Sequence, residues 1–213
     1  MKKINGKELK NKIIKYLISQ GFKINPHLRL VEQSKDSIRK VHHLKRKEQL
    51  RNHSKFLLRN LNLVKNHCVS GKNLDPNKIN LELIEINSGS KYEKIFLWWN
   101  LIWWSLPYTR PIGRQMRFLL WDIEQDAPFG LIGLQSPPLR SSVRDRFLGL
   151  NKDNVDYWIN QSLYGQRIGA LPPYNELIGG KMVALALTSN EIRERYAEKY
   201  DNKRTLLDNR ILP

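Results

Sequence analysis

Residues 117–135, RFLLWDIEQDAPFGLIGLQ, decide the fold. Two apolar runs, RFLLWD (117–122) and FGLIGLQ (129–135), flank the polar stretch IEQDAP. Each run is too short for a core helix, and both lack the polar alternation of a strand with one wet face. They predict an antiparallel pair at the centre of a sheet, covered on both sides.

Toward the C-terminus, Ser136-Pro137-Pro138 stops the second strand, and short helices are expected over 141–148 and 153–161. QRIGAL (166–171) reads as a further strand, halted by Pro172-Pro173. IGGKMVALAL (178–187) reads as a compact apolar helix. Ser189 or Asn190 caps a last helix to about Tyr200, whose Ile192, Tyr196 and Tyr200 form an apolar stripe that needs cover.

Toward the N-terminus, residues 91–105 predict a helix with Trp98, Trp99, Trp103 and Trp104 around most of its circumference, ended by Pro107. INLELIEIN (79–87) alternates like a strand, and GKNLDPNK (71–78) is a linker by composition. Before it, helices are expected over 7–20 and 33–69, separated by a turn at Asn25-Pro26. The stretch HHLKRKEQLRNHSK within the second is either exposed or a break between two helices. The chain therefore predicts an α+β fold: a basic helical region over 1–78, then a mixed sheet with flanking helices over 79–213.

Charge separates the same two regions. The 213 residues carry a formal net charge of +17, and residues 1–78 hold 20 Lys or Arg against 5 Asp or Glu. Such a concentration suits a polyanion, because neutralised phosphates release condensed counterions. Arg39, Lys40, Lys45, Arg46, Lys47, Arg51 and Lys55 are the candidate nucleic-acid contacts, against the alternative of a merely solvated basic face. A single cysteine, Cys68, excludes an internal disulfide and a thiolate zinc site, and suits a cytoplasmic setting. Charges at Lys7, Glu8, Lys10, Lys12 and Lys15 interrupt any signal-peptide core, and the most apolar stretch, 95–106, is far short of a membrane span of roughly 20 residues.

Three segments carry a family likeness: YTRPIGRQMRFLLWD (108–122), PFGLIGLQSPPLRSSVRDRFLGL (128–150) and RIGALPPYNELIGGKMVALALTSNEIRERYAEKY (167–200). They resemble the middle of the DruA family of Druantia anti-phage systems, and the resemblance runs from about Glu93 to the last residue. It implies a role in defence against phage, with a large helicase-like Druantia protein as partner. Family members continue well past the point where this chain stops, so the resemblance implies an N-terminal portion, with 79–213 incomplete at its C-terminal side. It supplies no catalytic residue.

Chemistry-bearing constellations are few. A strand, the PPYNEL turn and Gly179-Gly180-Lys181 at a helix start form a candidate anion site, with Arg114 and Arg144 as further contacts. This order resembles the core of acetyltransferases of the GNAT superfamily, which bind coenzyme A at such a helix start. Asn175-Glu176-Leu177-Ile178 replaces the basic-glycine spacing of their motif, so no cofactor is assigned. The alternative is that these glycines allow close strand–helix contact. Arg110, Arg114, Arg117, Arg140, Arg144 and Arg146 either line one groove or form structural ion pairs. His27, His42, His43, His53 and His67 lack companions for a metal site and read as solvated positions. The tryptophans suit core or a partner interface better than base stacking. Three functions follow: a nucleic-acid-associated defence component, an acyl-coenzyme A-dependent transferase, or a scaffold docking a helicase.

Overall fold

The computed structural model describes residues 5–25, 27–30, 32, 34–104, 106, 108–206 and 209–211. Pro26 of the expected turn, Gln33 at the expected start of the long helix, and Ser105 and Pro107 at the end of the tryptophan helix lie outside them. Backbone contacts divide the chain into two compact units, residues 1–57 with 101–108, and residues 58–100 with 109–213.

The first unit opens with α1 (Gly6–Ser19), where the Asn5 side chain accepts from Lys7 N at 3.1 Å and caps the helix. Next come two three-residue antiparallel strands, β1 (Phe22–Ile24) and β2 (Leu28–Leu30), in the register Lys23 opposite Arg29. Helix α2 (Lys35–Asn52) is capped by Ser34, whose hydroxyl accepts from Ser37 N at 3.2 Å, with Asp36 complementing the dipole. Neither long helix has a fully buried residue, so polar contacts carry much of the unit. Tyr16 Oη donates to Glu48 Oε2 at 3.0 Å, Tyr108 N donates to Gln49 Oε1, and Arg46 donates to the Ile102 carbonyl. The long helical stretch expected after residue 33 breaks at His53, inside the lysine-rich part, and continues as α3 (Ser54–Arg59) and α4 (Leu61–Asn66).

The second unit is built on β3 (Leu81–Glu85), β4 (Gln115–Asp122), β5 (Ala127–Gln135) and β6 (Tyr164–Ala170), paired in chain order. Every pairing is antiparallel, so the sheet is uniform where a mixed one was expected. The chain returns from β5 through two short helices, α6 (Ser142–Phe147) and α7 (Val155–Asn160), and so enters β6 running opposite to β5. From Met116 to Asp122 of β4 only Arg117 is not fully buried, and β5 is buried throughout except at Gln135. Both faces are thus covered, as the apolar runs predict.

On one face, Met116, Phe118, Leu120, Ile132 and Leu134 form the core with Val183 of α8 (Gly179–Ala186) and Ile192 of α9 (Asn190–Tyr200). Glycine brings α8 close to the sheet. A Cβ on Gly130 would stand 2.4 Å from Val183 Cγ2, and one on Gly179 would stand 2.5 Å from the Tyr174 carbonyl oxygen. Tyr196 and Tyr200 also pack against this core, so the sheet of the same unit covers the α9 stripe that seemed from sequence to need cover.

The opposite face meets α5 (Lys91–Ile102). Strand alternation aligns Arg117 of β4, Gly133 of β5 and Arg167 of β6 across it. From α5, Glu93 pairs with Arg117 at 3.0 Å and Asn100 Oδ1 accepts from Arg167 Nε at 2.8 Å. Below the strand ends, Tyr174 Oη donates to the wholly buried Asp122 at 2.9 Å, and Asn80 N donates to the other carboxylate oxygen at 3.2 Å. Among the described residues no helix is long and apolar enough to cross a membrane.

Candidate functional site

The basic candidates of the first unit fall into distinct groups once the phase of α2 is fixed. At 3.6 residues per turn, Lys40, Lys47 and Arg51 share one stripe of α2, and Lys55 lies one helical step further, on α3. All four are exposed, and none makes an ion pair among the described residues. Arg39 is held by Asp36 at 3.2 Å, and Lys45 by Glu48 at 2.9 Å. The hydrogen bonds from Lys45 and Tyr16 hold the Glu48 carboxyl below the usual range, and Glu48 raises the Lys45 ammonium. Arg46 is half-buried and spends a donor on the Ile102 carbonyl. Lys47 and Arg51 rim a groove that also includes Tyr16, Gln20, Leu44 and Glu48, the carboxylate that Lys45 and Tyr16 hold.

In the second unit the five candidate anion contacts stand in three places. Gly179 is buried and fitted against Tyr174, Ala170 and Phe129, whereas Gly180 and Lys181 are exposed at the start of α8. The cap residue Ile178 has φ 61° and supplies no side-chain cap. Arg144 is bound by its neighbour Asp145 at 2.6 Å and donates to the Pro138 carbonyl at 2.6 Å. Hydrogen bonds from Arg144 and the Ser141 amide outweigh desolvation and lower the Asp145 carboxyl. Arg114 lines a separate cavity of about 740 Å³, which neither Arg144 nor any of residues 179–181 reaches. Of the other arginines, Arg117 pairs with Glu93 and Arg140 with Asp156 at 2.8 Å, while Arg110 and Arg146 are exposed. The Gly89 amide and Arg117 together hold Glu93 low.

Two residues have surroundings that sequence does not disclose. Arg167 is only 4% exposed and sits beneath α5, although an arginine in a short strand gives no signal of burial. His67 differs from the solvated position expected of it: its ring meets Trp121 edge-on at 5.3 Å, and Nδ1 lies 3.1 Å from Asp126 Oδ2. The described residues contain no group of three or more His, Cys, Asp or Glu able to hold a metal.

Comparison with known proteins adds an independent line. The family described as Druantia protein DruA matches residues 32–213. The Druantia protein DruA of Escherichia coli (strain UMEA 4076-1) is 33% identical over 196 residues, which cover 91% of this chain and 48% of that protein. The chain thus spans about half the length of the curated relative it matches. No solved structure matches.

Proposed function

The chain belongs to the DruA family, and from that premise we propose that it is a nucleic-acid-associated component of a Druantia-type anti-phage defence system. The observation that supports the nucleic-acid part is the stripe of Lys40, Lys47 and Arg51 with Lys55 beyond it, cations that form no ion pair among the described residues in the most basic part of the chain. An isolated cation gains little from a distant carboxylate in water. A row of them gains much from phosphates, whose counterions are released on contact. The steps of seven and four residues advance about 10 and 6 Å along a helix, a scale on which a phosphate backbone offers repeated contacts. A Druantia helicase-like protein is the partner this reading brings with it.

The test is duplex-DNA binding by fluorescence anisotropy over a range of salt concentrations. Lys40→Ala/Lys47→Ala/Arg51→Ala/Lys55→Ala is expected to weaken binding and to flatten the slope of log K against log salt by about 0.9 for each lost phosphate contact. Arg39→Ala/Lys45→Ala, which removes the paired cations, is expected to do far less. Equal losses in the two variants would show that net charge, and not the stripe, sets the affinity.

A further inference from the structure

The cavity beside Arg114 has a chemical bias of its own. Its volume of about 740 Å³ lies within the range of small-molecule sites. Three cations line it, Arg114, Lys203 and Arg204, and no carboxylate among the described residues does. Each is already oriented by an uncharged acceptor. Arg114 donates to Tyr196 Oη and, at 3.5 Å, to Asn160 Oδ1; Lys203 donates to the Lys199 carbonyl at 2.5 Å; and Arg204 donates to the Asn209 carbonyl at 2.9 Å. A guanidinium has five N–H donors, so these contacts fix the fork without exhausting it.

Beyond these cations the lining includes the apolar Ile112, Leu139 and Ile159 and the polar Gln135, Asn160 and Thr205. Tyr200 lies beneath Lys203, whose Nζ is 5.3 Å from the ring centroid, and its hydroxyl is fixed by Gln115: Oη accepts from Gln115 N at 2.8 Å and donates to Gln115 O at 3.1 Å. Arg114 is likewise anchored through its backbone, since its N–H donates to Ser136 Oγ at 2.9 Å and its carbonyl accepts from Ser136 N at 2.8 Å. The cavity therefore combines pre-oriented cations with apolar and aromatic lining residues. That combination suits a ligand that carries a dense negative charge and a flat, weakly polar body.

We propose that this cavity binds a nucleoside phosphate, with the phosphate on Arg114, Lys203 and Arg204 and the base against the apolar lining of Ile112, Leu139 and Ile159. The unit can come from a free nucleotide or from the 5′-phosphorylated end of a strand. The inference does not rest on the duplex-binding reading, because the cavity lies in the second unit and shares no residue with the α2 stripe.

The experiment is a titration of the whole 213-residue chain with mant-labelled ATP in the presence of EDTA, with unlabelled competitors. Saturable binding is expected, displaced by ATP and not by adenosine. Lys203→Ala/Arg204→Ala, at exposed positions, is expected to weaken it by about tenfold or more, the effect of losing a charge-assisted contact. Arg114→Gln is expected to act in the same direction, and the quadruple α2 variant to leave the signal unchanged. Displacement by a 5′-phosphorylated dinucleotide but not by its 5′-hydroxyl form assigns the site to strand ends; displacement by ATP alone assigns it to free nucleotides. Absence of saturable binding, competition by adenosine equal to that by ATP, or full binding in Lys203→Ala/Arg204→Ala would each overturn the proposal. None of these results bears on the duplex affinity of the α2 stripe.

Discussion

Replacing Gly179 by alanine puts a methyl group 2.5 Å from the Tyr174 carbonyl oxygen and 3.0 Å from both Ala170 Cβ and Phe129 Cζ. Backbone and ring atoms on three sides leave little room to yield, and overfilling of this kind costs about 1–3 kcal/mol. A helical glycine replaced by alanine regains about 0.5–1 kcal/mol, so a net loss of about 1–2 kcal/mol is expected. Gly180, one residue on, is the internal control, because a Cβ there meets nothing within 4 Å. Gly180→Ala should be neutral or stabilising by about 0.5 kcal/mol. For a chain of this size each kcal/mol moves Tm by roughly 2–4 °C, so the two variants should separate by about 2–10 °C. Urea denaturation followed by tryptophan fluorescence, with thermal scans alongside, measures the difference. If Gly179→Ala is as stable as Gly180→Ala, close contact of α8 with the sheet is not why glycine stands at 179.

Two further outcomes follow from the same region. Tyr174→Phe removes the Tyr174 donor from the buried Asp122, leaving the bond from Asn80 N, and should cost about 1.5–3 kcal/mol in urea denaturation. Burial and the adjacent Asp122 push the Tyr174 phenol well above its ordinary value. The pair therefore contributes stability that is complete below about pH 10 and is lost as pH rises beyond it, a loss that Tyr174→Phe should not show. Acetyl-coenzyme A should give neither calorimetric heat nor a rise in Tm, since Asn175-Glu176-Leu177-Ile178 stand before Gly179. Micromolar binding abolished by Gly180→Glu would instead support the transferase reading.

The central strands are legible because burial on both faces leaves a direct trace, runs such as FLLW and GLIGL with no polar alternation. Helices α8 and α9 are equally plain from their period and from Ser189 as cap. β1 and β2 leave no such trace, because FKI and LRL are three residues each and shorter than any usable window. The direction of β6 is hidden for another reason: a single long helix returns a chain parallel, two short ones can return it antiparallel, and periodicity does not distinguish them. Within the candidate contacts, composition identifies a basic region, but partner geometry decides which cations are free. Asp36 and Glu48 pair with Arg39 and Lys45, while the neighbouring Lys40 and Lys47 form no ion pair among the described residues. The cavity at Arg114 joins residues from 112 to 206, a proximity created only when Tyr200 fastens α9 to the start of β4. The residues on either side of that fastening have no local reason to be read together.

The chain-order pairing of β3 through β6 also bears on how the second unit is assembled. The four residues 123–126 close the β4–β5 hairpin, a loop short enough to form on the microsecond scale of isolated hairpins. No later strand has to be inserted between two that are already joined. During synthesis each new strand can therefore dock on an edge made by its predecessor. The apolar β5 would have β4 beside it before β6 and α8 leave the ribosome, which shortens the time that the most aggregation-prone segment spends unpaired.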